Sequence, residues 1–196
     1  MTKAERTRQF IVEKTAPLFN TKGYDGTSLA DLTEATGLTK GALYGNFADK
    51  DEIAEAAFHY SMKKVKALMK QEMESVKTYK QRLQALLSFF ARYVNKPPVA
   101  GGCPLLNTAI EADDHRTSMR RVVTKELMAT IDFIASQLEG GVKAGEFIST
   151  IKPRELAYVF FCSVEGALMF SRVERSNEPM EIVVKHCKKI LDQISQ

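Results

Sequence analysis

Apolar residues recur every three to four positions through most of this chain, and that spacing constrains the fold more than any other feature. Leu83, Leu86, Leu87, Phe90, Tyr93 and Val94 make one such row; Val122, Val123, Leu127, Ile131, Ile134 and Leu138 make another. A period near 3.6 residues places each row on one face of a helix. Glycine and proline, the residues that interrupt helices, number only 11 and 6 among 196 residues. The spacing therefore predicts an all-α chain, and 44% hydrophobic content supplies a full core.

Punctuation then divides the chain. The spacing predicts helices over 3–22, 29–36, 40–47, about 50–75, 80–95, 117–139, 154–174 and 179–195. Gly23 stops the first, and Tyr24-Asp25-Gly26 forms a turn after it. NKPPVAGGCP, 95–104, is the clearest break, and GGVKAGEF around 140–147 is another. There is no internal repeat and no low-complexity tract.

Several function classes recede on composition. The richest apolar run, LAYVFFCSV at 156–164, is closed by Glu155 and Glu165, well short of the ~18 residues of a membrane span. MTKAERTRQF is charged and lacks a signal-peptide core. Cys103, Cys162 and Cys187 are too far apart in sequence to suggest a disulfide framework and fit a reducing compartment. A cytoplasmic protein without a membrane partner is expected. No Walker-type loop, Gly-x-Ser-x-Gly or paired Cys/His spacing occurs, and His59, His115 and His186 are scattered. Neither cofactor, metal nor enzymatic activity is expected. Charge is uneven: residues 1–96 carry 16 Lys/Arg against 11 Asp/Glu, and residues 97–196 carry 12 against 13. The basic half suits a polyanion or a solvated surface equally well.

Residues 27–47 sharpen the choice. Thr27 or Ser28 caps a short helix, LADLTEAT; Gly37 breaks it; Thr39 caps a third helix from Lys40. Short helix, glycine turn and short helix, with a helix before them to pack on, outline a helix-turn-helix unit or a plain three-helix bundle. At 100° per residue Leu43 and Phe47 share the core stripe. Gly41, Ala42 and Gly45 lie opposite, with Lys40 and Tyr44 on one flank and Asn46 on the other. Each interior glycine costs about 1 kcal/mol relative to alanine, so a bare face implies close approach by a DNA groove or by another helix. Hydroxyl and ammonium groups at Thr27, Thr39, Lys40, Tyr44 and Lys50 favour the groove, since such groups bind phosphate; Asn46 offers an amide for base readout.

TSLADLTEATGLTKGALYGNFADKDEI, residues 27–53, resembles without a gap the DNA-binding signature of the TetR family of bacterial regulators. Thr27, Gly37-Leu38-Thr39, Lys40-Gly41-Ala42-Leu43-Tyr44, Phe47 and Lys50 carry the resemblance. Thr33 and Thr36 stand where that family usually has alanine, and Gly45 replaces a larger residue. The resemblance implies a homodimer with a helix-turn-helix domain over 1–52 and a helical bundle over 53–196 for effector binding and dimerisation. Its DNA contacts would be Thr27, Ser28, Thr39, Lys40, Gly41, Ala42, Tyr44, Gly45, Asn46 and Lys50. The partners would be a double-stranded operator, an inverted repeat, and an unidentified small-molecule effector that releases a repressor from it. The competing reading is an all-helical apolar-ligand carrier or enzyme that does not bind DNA.

In the remaining helices, 154–174 is apolar over most of its circumference and suits both a core and a partner; in the family the last two helices form the dimer interface. Phe90, Tyr93 and Phe133, with Phe89, line an effector cavity or simply fill the core. Glu165 orients an effector or marks an exposed edge. Cys103, next to Pro104, is a reactive thiol at a helix start or a small residue in a tight loop. Cys162 and Cys187 read as buried small hydrophobes.

Overall fold

The structure, a computed structural model of the chain, describes residues 1–114 and 116–196; His115 lies outside the described residues. Among these, the helices are α1 (Lys3–Lys22), α2 (Leu29–Thr36), α3 (Lys40–Tyr44), α4 (Lys50–Glu74), α5 (Tyr79–Tyr93), α6 (Pro104–Ala112), α7 (Thr117–Lys143), α8 (Pro153–Glu174) and α9 (Glu178–Gln193). An isolated β-bridge joins Phe147 to Ser195, and no strand occurs among the described residues. The all-α expectation holds.

Two compact units divide the chain, Met1–Val65 with Pro98–Thr124, and Lys66–Pro97 with Lys125–Gln196. In the first unit α1, α2 and α3 each begin at a side-chain cap. Thr2 and Glu5 close a capping box on α1, and Ser28 and Asp31 close one on α2. Gly37 ends α2 at φ 67°, a left-handed conformation that favours glycine. Thr39 then caps α3, its hydroxyl accepting from the Ala42 amide at 3.2 Å. Ile11, Val12, Leu32, Leu43, Phe47 and Ile53 form one buried cluster across α1 to α4.

In the second unit α8 packs on α9, and α5 packs on both. Leu83, Leu138, Leu168, Met180 and Leu191 are fully buried there. By composition α8 is long and apolar enough to cross a membrane. Yet Ala157, Phe160, Val164, Ala167 and Leu168 are buried within the unit.

Two boundaries differ from the sequence expectation. The third helix ends at Tyr44 rather than 47, because Asn46 turns its side-chain amide back onto the Ala42 carbonyl at 2.9 Å. The seventh runs through Gly140 and Gly141 to Lys143 instead of breaking there. At Gly140 a Cβ would fall 2.3 Å from the Tyr79 ring, and at Gly141 2.2 Å from the Phe147 ring. These glycines admit neighbouring aromatic rings; they are not turn residues.

Candidate nucleic-acid interface

α3 is positioned from beneath by Leu43 and Phe47, both inside the buried cluster. That anchorage turns Gly41 and Gly45 outward, and both are exposed. Among the described residues, a Cβ built at Gly41 would meet nothing nearer than the Thr39 hydroxyl at 4.0 Å, so no contact among them demands glycine there. Thr39 and Lys40 are exposed beside it, and Ala42 and Tyr44 are half-buried on its flanks. Ser28 is exposed at the start of α2, its hydroxyl 2.7 Å from the Asp31 carboxylate.

Besides the capping hydroxyls of Ser28 and Thr39, three more of the expected contact residues have intramolecular work. Thr27 is 0% exposed, and its hydroxyl donates to the Gly23 carbonyl at 2.5 Å. Asn46 uses its amide to close α3. Lys50 donates to the Tyr24 carbonyl at 2.6 Å and lies 4.0 Å from the centre of the Tyr24 ring.

Electrostatics reinforce the frame. A hydrogen bond from Lys22, and others from Ser28, hold the Asp31 carboxyl well below the usual range, tying the end of α1 to the start of α2. Arg116 pairs with Asp51 at 2.5 Å and holds that carboxyl low as well. Burial, with Asp51 beside it, pushes the Tyr24 phenol up.

Sequence reading missed how α6 joins this unit. The Glu111 carboxylate accepts from the Tyr24 amide at 3.0 and 2.9 Å. Asn20 donates to the carbonyls of Ala100 and Gly102 at 2.7 and 3.0 Å, and Asn107 donates to the Asn20 and Gly101 carbonyls at 3.0 and 2.9 Å. A Cβ at Gly101, φ 101°, would fall 2.2 Å from the Asn20 carbonyl oxygen, so this clasp requires glycine. The Arg116 Cζ lies over the Tyr24 ring, 3.4 Å from its centre, a contact that no sequence spacing signals. These pairs are separated by 80 residues or more in several cases, beyond any local pattern.

The second unit holds a small apolar cavity of about 30 Å³ among Met69, Leu83, Leu86, Leu87, Phe90, Thr130, Ile134, Phe160, Phe161 and Val164. Of the tentative effector residues, Phe90 lines it. Tyr93 is buried with its ring stacked on Phe90 at 5.6 Å. Glu165, 7% exposed, is buried next to Val164, which excludes the exposed-edge reading. Phe133 is 37% exposed and does not line the cavity. Cys103 is buried in the first unit, at the start of α6.

Cys162 is exposed, not buried as the sequence suggested; burial pushes the Cys187 thiol up to about 11. Cys162 faces outward because it shares a helical stripe with Tyr158, Val159, Gly166, Met169, Phe170 and Val173. Val159, Met169, Phe170 and Val173 are large apolar residues left exposed, Val173 by 81%; Ile182 on α9 is exposed by 61%.

A short helix, a left-handed glycine turn and a second short helix, seated on α1 and α4 and presenting small residues beside Lys40, define a helix-turn-helix head, the DNA-binding domain of a transcriptional regulator. Residues 11–57 match the family model of bacterial regulatory proteins, tetR family, and residues 80–187 match that of the tetracyclin repressor-like C-terminal domain. A TetR-family regulator from Cytophaga hutchinsonii has the same fold, with a TM-score of 0.93 and 36% identity over 100% of this chain and 98% of its own. The HTH-type transcriptional repressor DhaR of Mycobacterium sp. (strain GP1) is 24% identical over 89% of this chain and 86% of its own. A cysteine mutant of the TetR-family regulator CifR, solved with a 26-bp double-strand operator, has a TM-score of 0.82 at 18% identity, covering 92% of this chain and 94% of its own. The chain belongs to the TetR family, a family of regulators rather than enzymes.

Proposed function

We propose that this protein is a cytoplasmic, homodimeric repressor that inserts α3 into the major groove of an inverted-repeat operator and is released by a small apolar effector. The observation that carries the groove assignment is the open face at Gly41: it is exposed, unobstructed by any described residue, and aimed outward by the buried Leu43 and Phe47. A helix without side chains on that face sits deep, leaving Lys40, Thr39 and Ser28 to reach phosphates and Tyr44 to reach a phosphate or base edge. Thr27 and Lys50 serve the frame, by the bonds already described. The operator-bound relative supports the same use of the fold.

The exposed stripe of α8, with Ile182 of α9, is the face we assign to the second subunit, because a contiguous apolar patch of this kind is disfavoured in water. The cavity behind Phe90 is the effector site. At about 30 Å³ it holds little more than a water molecule, so a ligand must displace α5, α7 or α8 to enter. Its lining of aliphatic and aromatic carbon, relieved by Thr130, selects an uncharged, apolar molecule. An effector releases DNA to the extent that it binds the displaced state more tightly.

Selection of bound duplexes from a random pool, followed by a salt titration of the enriched sequence, tests this reading. Enrichment of inverted repeats with half-sites spaced by a helical turn or more, bound with a steep loss of affinity in salt, is expected. Recovery of no repeat would refute it.

A further inference from the structure

α3 has little means of holding its own shape. It comprises five residues, one of them glycine, with a second glycine at its end. The amides of Leu43 and Gly45 each donate one bond back along the helix, at 3.0 and 2.9 Å, and those of Asn46 and Phe47 both return to the Leu43 carbonyl. Glycine has the largest backbone freedom to lose, so the carboxy end of this helix needs an anchor outside itself.

Arg8 of α1 supplies one. Its guanidinium donates through Nη1 to the Asn46 carbonyl and through Nη2 to Glu52 Oε1 at 2.7 Å, while its Cζ lies over the Phe47 ring, 4.0 Å from the ring centre. Glu52 completes the arrangement: its other oxygen, Oε2, accepts from the Ala48 amide at 2.6 Å. The backbone from Asn46 to Ala48 is thus gripped at a carbonyl, a ring and an amide by one ion pair. A planar fork with fixed N–H directions can bridge a carbonyl and a carboxylate while stacking on a ring; an ammonium group cannot do all three.

We infer that Arg8, with Glu52, is a positioning residue that sets the pitch of α3 in the groove, and so governs operator specificity without touching DNA. The pair is about 40% exposed on each side, so as an ion pair alone it contributes little to global stability. Its consequence is local: without the fork, the turn after Gly45 relaxes and the Gly41 face no longer meets the bases at one angle. This inference rests on the groove reading above.

The test uses the full-length protein and its selected duplex beside an unrelated duplex of equal length. Arg8→Ala and Arg8→Lys are both expected to lower affinity for the selected duplex about tenfold. Affinity for the unrelated duplex should stay within about twofold and the salt slope should not change. Amide hydrogen exchange at Gly45, Asn46 and Phe47 in the DNA-free protein should accelerate in both variants, while exchange of the α5, α8 and α9 amides stays as in the parent. Retained affinity in Arg8→Lys, or an equal loss on both duplexes with a salt slope reduced by about one, would make Arg8 a phosphate contact and overturn the inference. Unaltered exchange at those three amides would overturn it as well. Should Arg8→Ala fail to fold, Glu52→Gln, which keeps the Asn46 bond but discharges the pair, must still lower the ratio of selected to unrelated binding. If the parent protein itself enriches no duplex, the groove reading fails, while the exchange measurement still decides whether the clamp exists.

Discussion

Replacing Gly41 with alanine separates what this position does for the fold from what it does for DNA. The added Cβ would meet only the Thr39 hydroxyl, 4.0 Å away, and Gly41 is absent from the residues with positive φ. Nothing among the described residues therefore opposes the substitution, and alanine in a helix is favoured over glycine by up to about 1 kcal/mol. Gly41 lies in the first turn of a five-residue helix, so about half of that is realised. A gain of about 0.5 kcal/mol corresponds to a rise of roughly 1–2 °C in Tm for a chain of this size. DNA binding should move the opposite way. A methyl group on a face that approaches base edges, and more so the side chain of Gly41→Gln, forces the helix outward and loosens several contacts together. A loss of about 1–3 kcal/mol, or roughly 5- to 150-fold in Kd, is the expected scale. Paired measurements of thermal unfolding and fluorescence-anisotropy binding check this. A destabilised Gly41→Ala would show that glycine serves the fold, and a Gly41→Gln variant that binds as tightly as the parent would refute the groove-facing assignment.

Other expectations follow from the same geometry. Glu111→Ala leaves the Tyr24 amide without the carboxylate that holds it and should destabilise the first unit by about 1–2 kcal/mol, read by urea unfolding. Asp31, Asp51 and Glu52 all have carboxyls held below their ordinary values: Lys22, Arg116 and the Ala48 amide are the respective leading causes. Such groups bind fewer protons folded than unfolded. The stability they contribute is complete above about pH 5 and is lost as pH falls through the ordinary and then the lowered folded values. Unfolding followed between pH 2 and 7 should show that loss, with a smaller slope in Asp51→Asn; stability that rises on acidification would contradict it. Val173→Glu places a charge on the most exposed apolar residue of α8 and should halve the mass measured by light scattering, leaving helicity by circular dichroism unchanged.

Much of this was legible in the sequence, and the exceptions share a cause. The periodic rows located the long helices, and cap chemistry at Ser28, Gly37 and Thr39 located α2 and the start of α3, because those signals are local. The end of α3 was not legible, since it depends on Asn46 folding back over Ala42 and on Arg8 gripping the Asn46 carbonyl from 38 residues away. Gly140 and Gly141 resemble a helix stop and are instead seats for Tyr79 and Phe147, a distinction only tertiary packing can make. Thr27 carries a hydroxyl suited to phosphate, yet the turn buries it against Gly23. Cys162 and Glu165, three residues apart on an apolar helix, could not be oriented without knowing which faces α5 and α9 cover; one proves exposed and the other buried.

The central claim, that α3 enters a major groove by its glycine face, is tested most directly by methylation interference on the selected duplex. Guanine N7 lies in the major groove and adenine N3 in the minor groove. The account predicts that guanine N7 methylation within each half-site blocks binding and that adenine N3 methylation within the same half-site does not. Interference confined to adenine N3, or absent from both grooves, would contradict it.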